Sequence, residues 1–275
     1  MPARFFLVYS QLPPCPNQSL LTVSVRQDTH KGVKPTWNGV GTRPEAGMKE
    51  TALELFNGLA RSYDRTLDVA TLLQDRYWKR WVLERAGAQE GGLLLDVGSG
   101  TLVLEERLLG RPWSVVGIDL TRKMVALGSA KRLNNVLMLI NGDAEALPFR
   151  DGAFDAVASC YVAKYVSVPR FARELSRVVK AGGPVAVYDF VRPRGPFSPF
   201  LAVYIRGALR AAGYLMGLAK KDSAFTFQNL PEIVEGATWD RAMVHAMESN
   251  GVQTKGFERL SGGVVSAYWG VKQGR

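Results

Sequence analysis

The chain has 275 residues, 47% hydrophobic and 22% charged, which is ordinary globular composition with enough apolar material for a large core. Cys15 and Cys160 are its only cysteines, so a disulfide framework is excluded and a reducing cytoplasm fits. A net charge of +10 and a pI of about 9.7 favour anionic partners, nucleic acid or an acidic membrane surface, against the plainer reading of a solvated basic face.

Residues 1–47 are read as a weakly ordered extension preceding a domain over 48–275, and Met48 as an alternative start. The extension holds Leu12-Pro-Pro-Cys-Pro16 and a scatter of Gly, Thr, Asn and Lys, with only Leu20–Val25 able to form a strand. Arg4–Tyr9 is too short for a signal-peptide core, and no apolar run reaches the roughly 20 residues of a spanning helix. From Lys49, Ala52, Leu53, Phe56, Leu59, Ala60 and Tyr63 recur at helical spacing. A second helix is expected over 72–86, with Trp78, Trp81 and Val82 inward. Strands at 92–96, 114–118, 136–140, 154–159 and 184–190 then alternate with helices at 101–109, 121–131 and 168–179. This is the pattern of a parallel sheet covered on both faces. Phe197–Leu218 reads as a greasy helix, either a buried cap or a segment touching lipid, and basic residues from Arg192 to Lys221 flank or interrupt it. A helix over 239–250 and two strands at 252–260 and 263–271, turning at Gly262-Gly263, close the chain.

The chemistry concentrates where the first parallel strand ends. Leu93-Leu-Leu-Asp-Val-Gly-Ser-Gly-Thr-Leu102 is an apolar run, then an acid, then two spaced glycines. Gly98 and Gly100 permit a tight turn and close backbone approach by a nucleotide-like ligand, and the amides opening the next helix face that ligand. Asp119 ends the following strand, where a carboxylate can take both ribose hydroxyls. A dinucleotide site wants a third glycine where this chain has Val103, and it has no use for Asp143-Ala-Glu-Ala-Leu-Pro-Phe149.

Together with Phe154-Asp-Ala-Val-Ala-Ser159, these elements resemble the S-adenosylmethionine (SAM) site of a class I methyltransferase. The implied fold is α/β and Rossmann-like, a mostly parallel seven-stranded sheet with a C-terminal antiparallel hairpin. The resemblance implies that Asp96 orders the turn near the cofactor's ammonium, and that Asp143 and Ala144 face the adenine. Leu102 stands where many relatives have a third small residue and is expected to crowd the methionine end. Phe56-Asn-Gly-Leu-Ala-Arg-Ser-Tyr-Asp64, Arg76-Tyr-Trp-Lys-Arg80 and Leu260-Ser-Gly-Gly-Val-Val-Ser-Ala-Tyr-Trp-Gly270 are similar to the ubiquinone/menaquinone biosynthesis C-methyltransferase family over about residues 52–272. By matched position the family implies cofactor contacts at Thr101, Asp119, Asp143 and Ala144. Cys160 falls where a serine is common, and Tyr63 on a tyrosine near the acceptor. Lys164 and Tyr165 replace an arginine and an asparagine, and Asp189 replaces a glutamate.

The implied reaction is methylation at a ring carbon of a prenylated quinol, with Lys164 stabilising the phenolate and Tyr63 and Tyr165 lining the ring. A lipophilic small-molecule acceptor and peripheral cytoplasmic placement at an acidic membrane follow, and no nucleic acid is expected. The alternatives are another small-molecule acceptor, an RNA methyltransferase, and a non-catalytic SAM-binding protein. Ser159-Cys-Tyr-Val162 lacks the Pro-Pro-aromatic signature of base-amine methylation. His30 and His245 are not placed as bases, and no cluster has metal-ligand spacing.

Overall fold

The computed structural model describes residues 45–87, 91–193 and 236–274, with Ser198, Phe200, Val203, Gly207, Ile233 and Val234 besides. The expectations for 1–44, including the Leu20–Val25 strand, and for most of Phe197–Leu218 lie outside the described residues. Three helices come first: α1 (Glu45–Leu59), α2 (Tyr63–Ala70) and α3 (Gln74–Arg85). The alternating part follows as β1 (Gly92–Val97), α4 (Val103–Glu106), β2 (Trp113–Asp119), α5 (Arg122–Ala130), β3 (Val136–Asn141), β4 (Ala156–Cys160), α6 (Val168–Val178) and β5 (Pro184–Phe190). Helix α7 (Trp239–Ser249) and strands β6 (Val252–Leu260) and β7 (Val265–Lys272) end it.

The sheet has seven strands in the order β3-β2-β1-β4-β5-β7-β6. β1 pairs parallel with β2 and β4, and β7 runs antiparallel to β5 and β6. Successive residues of each strand serve opposite faces. Leu95, Val97, Val116 and Ile118 pack toward α6 and α7 through Phe171, Leu175, Met243 and Met247. Leu94, Val115 and the small Ala156, Ala158 and Ala186 meet α3 and α5 through Trp78, Trp81, Val82 and Val125. Trp81 meets Trp269 edge-on at 5.0 Å, and the Arg85 guanidinium lies over both rings, fastening α3 to the closing hairpin.

The strands expected from residue 92 onward are all present. Two helical expectations change. Only Val103–Glu106 is α-helical where 101–109 was expected, between left-handed residues at Leu102 (φ 67°) and Gly110 (φ 78°). The helix from Lys49 stops at Leu59, and Tyr63–Ala70 forms a separate α2, which ends before the left-handed pair Leu72 and Leu73. α2 went unread because its apolar residues are few and irregularly spaced.

The core also contains charge. Asp75 and Lys79 form a buried pair on α3 with both Nζ–O distances 2.6 Å. Asp96 and Glu105 are buried facing carboxyls, and Asp96 Oδ1 and both Glu105 oxygens have no donor among the described residues. A shared proton holds such a pair together. Burial pushes both groups up, Asp96 to about 7, with Lys79 pulling the other way. Between the ordinary aspartate value of 3.8 and about 7, the folded chain keeps a proton that the unfolded chain has released. Stability from this pair therefore falls as pH rises through that window. Glu105→Gln, which gives Asp96 a permanent amide donor, should flatten that fall in thermal melts taken from pH 4 to 7. Parallel pH profiles for the two proteins would show that the pair does not titrate there.

Candidate active site

The C-terminal ends of β1, β2 and β3 meet at one place, as they must in a parallel sheet wound in this order. Gly98 (φ 84°) and Gly100 (φ 56°) turn the chain after β1. They are glycine for different reasons. A Cβ on Gly98 would stand 2.2 Å from Val162 Cγ2, so this glycine lets the turn pack on the loop after β4. A Cβ on Gly100 would meet nothing nearer than Gly98 O and Tyr63 Cε1 at 4.0 Å, so its outer side is open to an incoming group. Asp119 is the hub of this corner. Its Oδ2 accepts from the Gly100 amide at 2.9 Å and its Oδ1 from the Thr121 amide at 2.7 Å. Burial raises its pKa while those two amides and the Thr121 hydroxyl lower it. The Thr121 hydroxyl adds a third bond to this carboxylate, whose two oxygens together can accept about four, so acceptor capacity remains for a ribose hydroxyl.

Leu102 corrects its expectation. It takes a left-handed conformation (φ 67°), yet its side chain is buried, 1% exposed, against α5. A Cβ on Gly128 would lie 3.0 Å from Leu102 Cγ, so Gly128 supplies the space the leucine fills. The leucine joins the core layer with Val125 instead of standing free at the mouth of the turn.

Two lysines secure the rim. Lys49 of α1 donates to Asp143 Oδ2 at 2.6 Å and Glu145 Oε2 at 2.7 Å. Glu145 also accepts from the Ser167 amide at the start of α6 and from Arg170, so α1, the loop after β3 and α6 are clasped at one carboxylate. Ala144 lies between Asp143 and Glu145, half-buried. Thr101 donates its hydroxyl to Asp64 of α2, and Lys131 bridges Asp64 and Glu106 at 3.0 Å each.

Lys164 and Tyr165 lie in a 3₁₀ turn, Ala163–Tyr165, after β4. Lys164 is buried, and its Nζ reaches Asp189 Oδ1 at 2.5 Å and the Tyr161 carbonyl at 3.1 Å. Burial lowers its pKa and Asp189 raises it. The ammonium faces the Tyr165 ring at 4.4 Å and the Tyr161 ring at 5.4 Å. Phe56 of α1 meets Tyr63 and Tyr165 edge-on at 5.9 and 5.6 Å, so the three acceptor-side residues named from sequence do gather in one cluster. The Tyr165 hydroxyl is buried with no partner among the described residues. Behind them, Asp75 accepts from Tyr161 and Tyr188 at 2.7 and 3.0 Å. Cys160 is buried at the end of β4, and burial pushes its thiol up.

Asp189 is thus the partner of Lys164, a role that its mere departure from the family pattern did not reveal. Lys49, Asp75, Tyr161 and Glu105 were also missed. A buried acid inside an otherwise polar helix start, as at Asp75, was the one available cue. His245 is exposed on α7, and no group of three or more His, Cys, Asp or Glu among the described residues could hold a metal.

A family model described as the ubiE/COQ5 methyltransferase family matches residues 46–272. A demethylmenaquinone methyltransferase of Tropheryma whipplei (strain Twist) is 33% identical over 219 residues, covering 78% of this chain and 89% of the relative. The ubiquinone/menaquinone biosynthesis C-methyltransferase UbiE of Hahella chejuensis is 28% identical over 256 residues, covering 90% and 98%. Among solved structures, a chain of the Haloferax volcanii complex of the Trm112 methyltransferase activator with a methyltransferase superposes with a TM-score of 0.58 at 16% identity, covering 80% of this chain and 98% of that one. Geranyl diphosphate C-methyltransferase from Streptomyces coelicolor A3(2) gives 0.50 at 14%, covering 72% and 80%. The structural likenesses speak for the Rossmann-like fold and the sequence matches for descent: this chain belongs to the ubiE/COQ5 methyltransferase family and is a SAM-dependent methyltransferase.

Proposed function

We propose that this enzyme methylates a ring carbon of a prenylated quinol of the demethylmenaquinol type, working in the cytoplasm at the surface of a membrane. The observation that carries the reading is an aromatic cluster in which Phe56 joins Tyr63 to Tyr165, with the buried Lys164 ammonium against the Tyr165 and Tyr161 rings and Tyr63 reaching the open side of Gly100. A flat, electron-rich ring suits such walls. The relatives' names point to the same acceptor class, and no helix among the described residues is long and apolar enough to cross a membrane.

SAM supplies an electrophilic methyl on a sulfonium, and the open side of Gly100 and the remaining acceptor capacity of Asp119 form a cradle suited to it. The chain's own residues then have three tasks. Asp119 and Asp143 fix the nucleoside end, the latter by exchanging or sharing its bond to Lys49. Phe56, Tyr63 and Tyr165 hold the ring so that its carbon faces the methyl, which by itself removes much of the barrier. Lys164 spends two of its three N–H groups on Asp189 and Tyr161, leaving one for the developing phenolate beside the free Tyr165 hydroxyl. Burial of Lys164 and Tyr165 keeps that donor pair out of water, where it acts most strongly.

Incubating the protein with labelled SAM and a lipid extract should label a prenylquinone. Label confined to RNA or to a water-soluble product would overturn the proposal. Asp119→Ala should weaken SAM binding by about 100-fold in calorimetry, the scale of two charge-assisted hydrogen bonds. Unchanged affinity would move the ribose elsewhere. Lys164→Met/Asp189→Met removes both members of the ion pair, leaving no orphan charge in the core. It should keep the fold and SAM affinity while lowering turnover by about 100-fold.

A further inference from the structure

The described residues leave eight large hydrophobic side chains exposed, and four of them, Val69, Leu72, Leu73 and Tyr77, fall within one turn of chain between α2 and α3. They are 53–61% exposed. Val69 lies in the last turn of α2, Leu73 caps α3, and Tyr77 lies one helical turn beyond Leu73 on the same side. Leu72 (φ 49°) and Leu73 (φ 63°) are successive left-handed residues, a conformation that suits Gly or Asn and that leucine adopts only at a cost. Two strained leucines held in water do nothing for the core.

Charge surrounds this tip. A cleft of about 610 Å³ runs from Asp64 between α3 and the chain after α4, with Arg76, Arg80, Arg107 and Arg111 on its walls. Its acids are already neutralised: Lys131 holds Asp64 and Glu106, Arg76 holds Asp68, Lys79 holds Asp75, and Arg80 holds Glu84. Arg107 and Arg111 have no acid partner among the described residues, and Arg107 Nε is buried without an acceptor. Leu109, in the turn between those two arginines, is also exposed. The cleft that holds these two arginines is also lined by Leu67, Asp68, Asp75 and Arg76, from the helix ends on either side of the apolar tip, so the tip adjoins a cleft with two cations that have no acid partner among the described residues.

We propose that the α2–α3 turn is a docking tip for a bilayer carrying acidic phospholipid: Leu72, Leu73, Val69 and Tyr77 enter the interface, and Arg107 and Arg111 meet the headgroup phosphates. A protein partner would cover the apolar side chains, but a small apolar tip adjoining a cleft with unpaired arginines matches the layered chemistry of a membrane surface. α2 also begins with Tyr63 of the candidate acceptor site, so docking by this tip brings that site to the membrane. Its use to the enzyme rests on the proposed lipophilic acceptor; the docking itself does not.

The test uses the full chain and sedimentation with vesicles of phosphatidylcholine, alone or with phosphatidylglycerol. The wild type should bind the acidic vesicles, and binding should fall with added salt. Leu72→Asn/Leu73→Asn removes the apolar groups but keeps a residue type that tolerates the left-handed turn. It should lower vesicle binding by about tenfold or more and leave SAM affinity and the melting temperature unreduced. Arg107→Gln/Arg111→Gln should abolish the preference for acidic vesicles. A wild type that ignores acidic vesicles, or an Asn variant that binds them as well as the wild type, would overturn the proposal. So would a wild-type dimer that the Asn variant makes monomeric, since a second copy would then be the occupant. Turnover on a short-chain, water-soluble quinol separates the two proposals. If docking holds, the Asn variant keeps that activity and loses turnover on vesicle-embedded quinol. A wild type that binds vesicles but methylates neither quinol fails the functional reading alone.

Discussion

The Asp119 carboxylate is the joint on which this site is built. It holds the Gly100 amide from the first strand's turn and the Thr121 amide from the start of α5. Its own carbonyl accepts from the Gly142 amide and from Asn141 Nδ2, which tie in the third strand. Three strand ends are thus fixed around one residue. Each charge-assisted bond of this kind is worth about 1.5–3 kcal/mol, enough to hold a two-glycine turn that would otherwise sample many conformations. The consequence for binding is preorganisation. The acceptor for the ribose is oriented before any ligand arrives, so little ordering cost remains to be met on binding.

That joint was legible in the sequence because it depends on local order: apolar run, acid, glycines, then a second apolar run ending in an acid. The sheet was legible for the same reason, since each strand is a short buried run bounded by turn residues. What could not be read is what depends on distance along the chain. Lys49 meets Asp143 and Glu145 across more than ninety residues, and Tyr188 meets Asp75 across more than a hundred. No spacing rule connects those positions; only the winding of the sheet brings them together. Asp189 illustrates the middle case. Its difference from the family's usual glutamate was visible, but its pairing with Lys164 follows from β4 and β5 being neighbours in register, Cys160 opposite Tyr188.

Leu102 of the glycine turn and Gly128 of α5 illustrate how a site absorbs change. A leucine at position 102 carries left-handed strain of about 1–2 kcal/mol. It also buries a full aliphatic side chain, which contributes a similar amount in the other direction. The exchange works only because α5 presents Gly128 at the contact, where a Cβ would already press on the leucine. Reading position 102 alone suggested obstruction of the cofactor. Reading 102 and 128 as a pair makes it a packing solution that leaves the open face of Gly100 untouched.

The acceptor side poses a different question: why a core should contain two ion pairs, Asp75–Lys79 and Asp189–Lys164, close enough that both ammonium groups face the Tyr161 ring. Buried pairs are poor stabilisers, because desolvation consumes most of their attraction and apolar residues of equal volume do as well. Stability therefore does not account for them. What they provide is direction. Asp189 and the Tyr161 carbonyl hold Lys164 so that its remaining N–H has a fixed heading, and Asp75 fixes the hydroxyls of Tyr161 and Tyr188 so that the ring beneath it cannot turn. On the proposed reaction, a phenolate forming here would meet a donor that is already desolvated and aimed. Water need not reorganise around the new charge, and the pairing energy sacrificed in the folded protein reappears as stabilisation of the transition state.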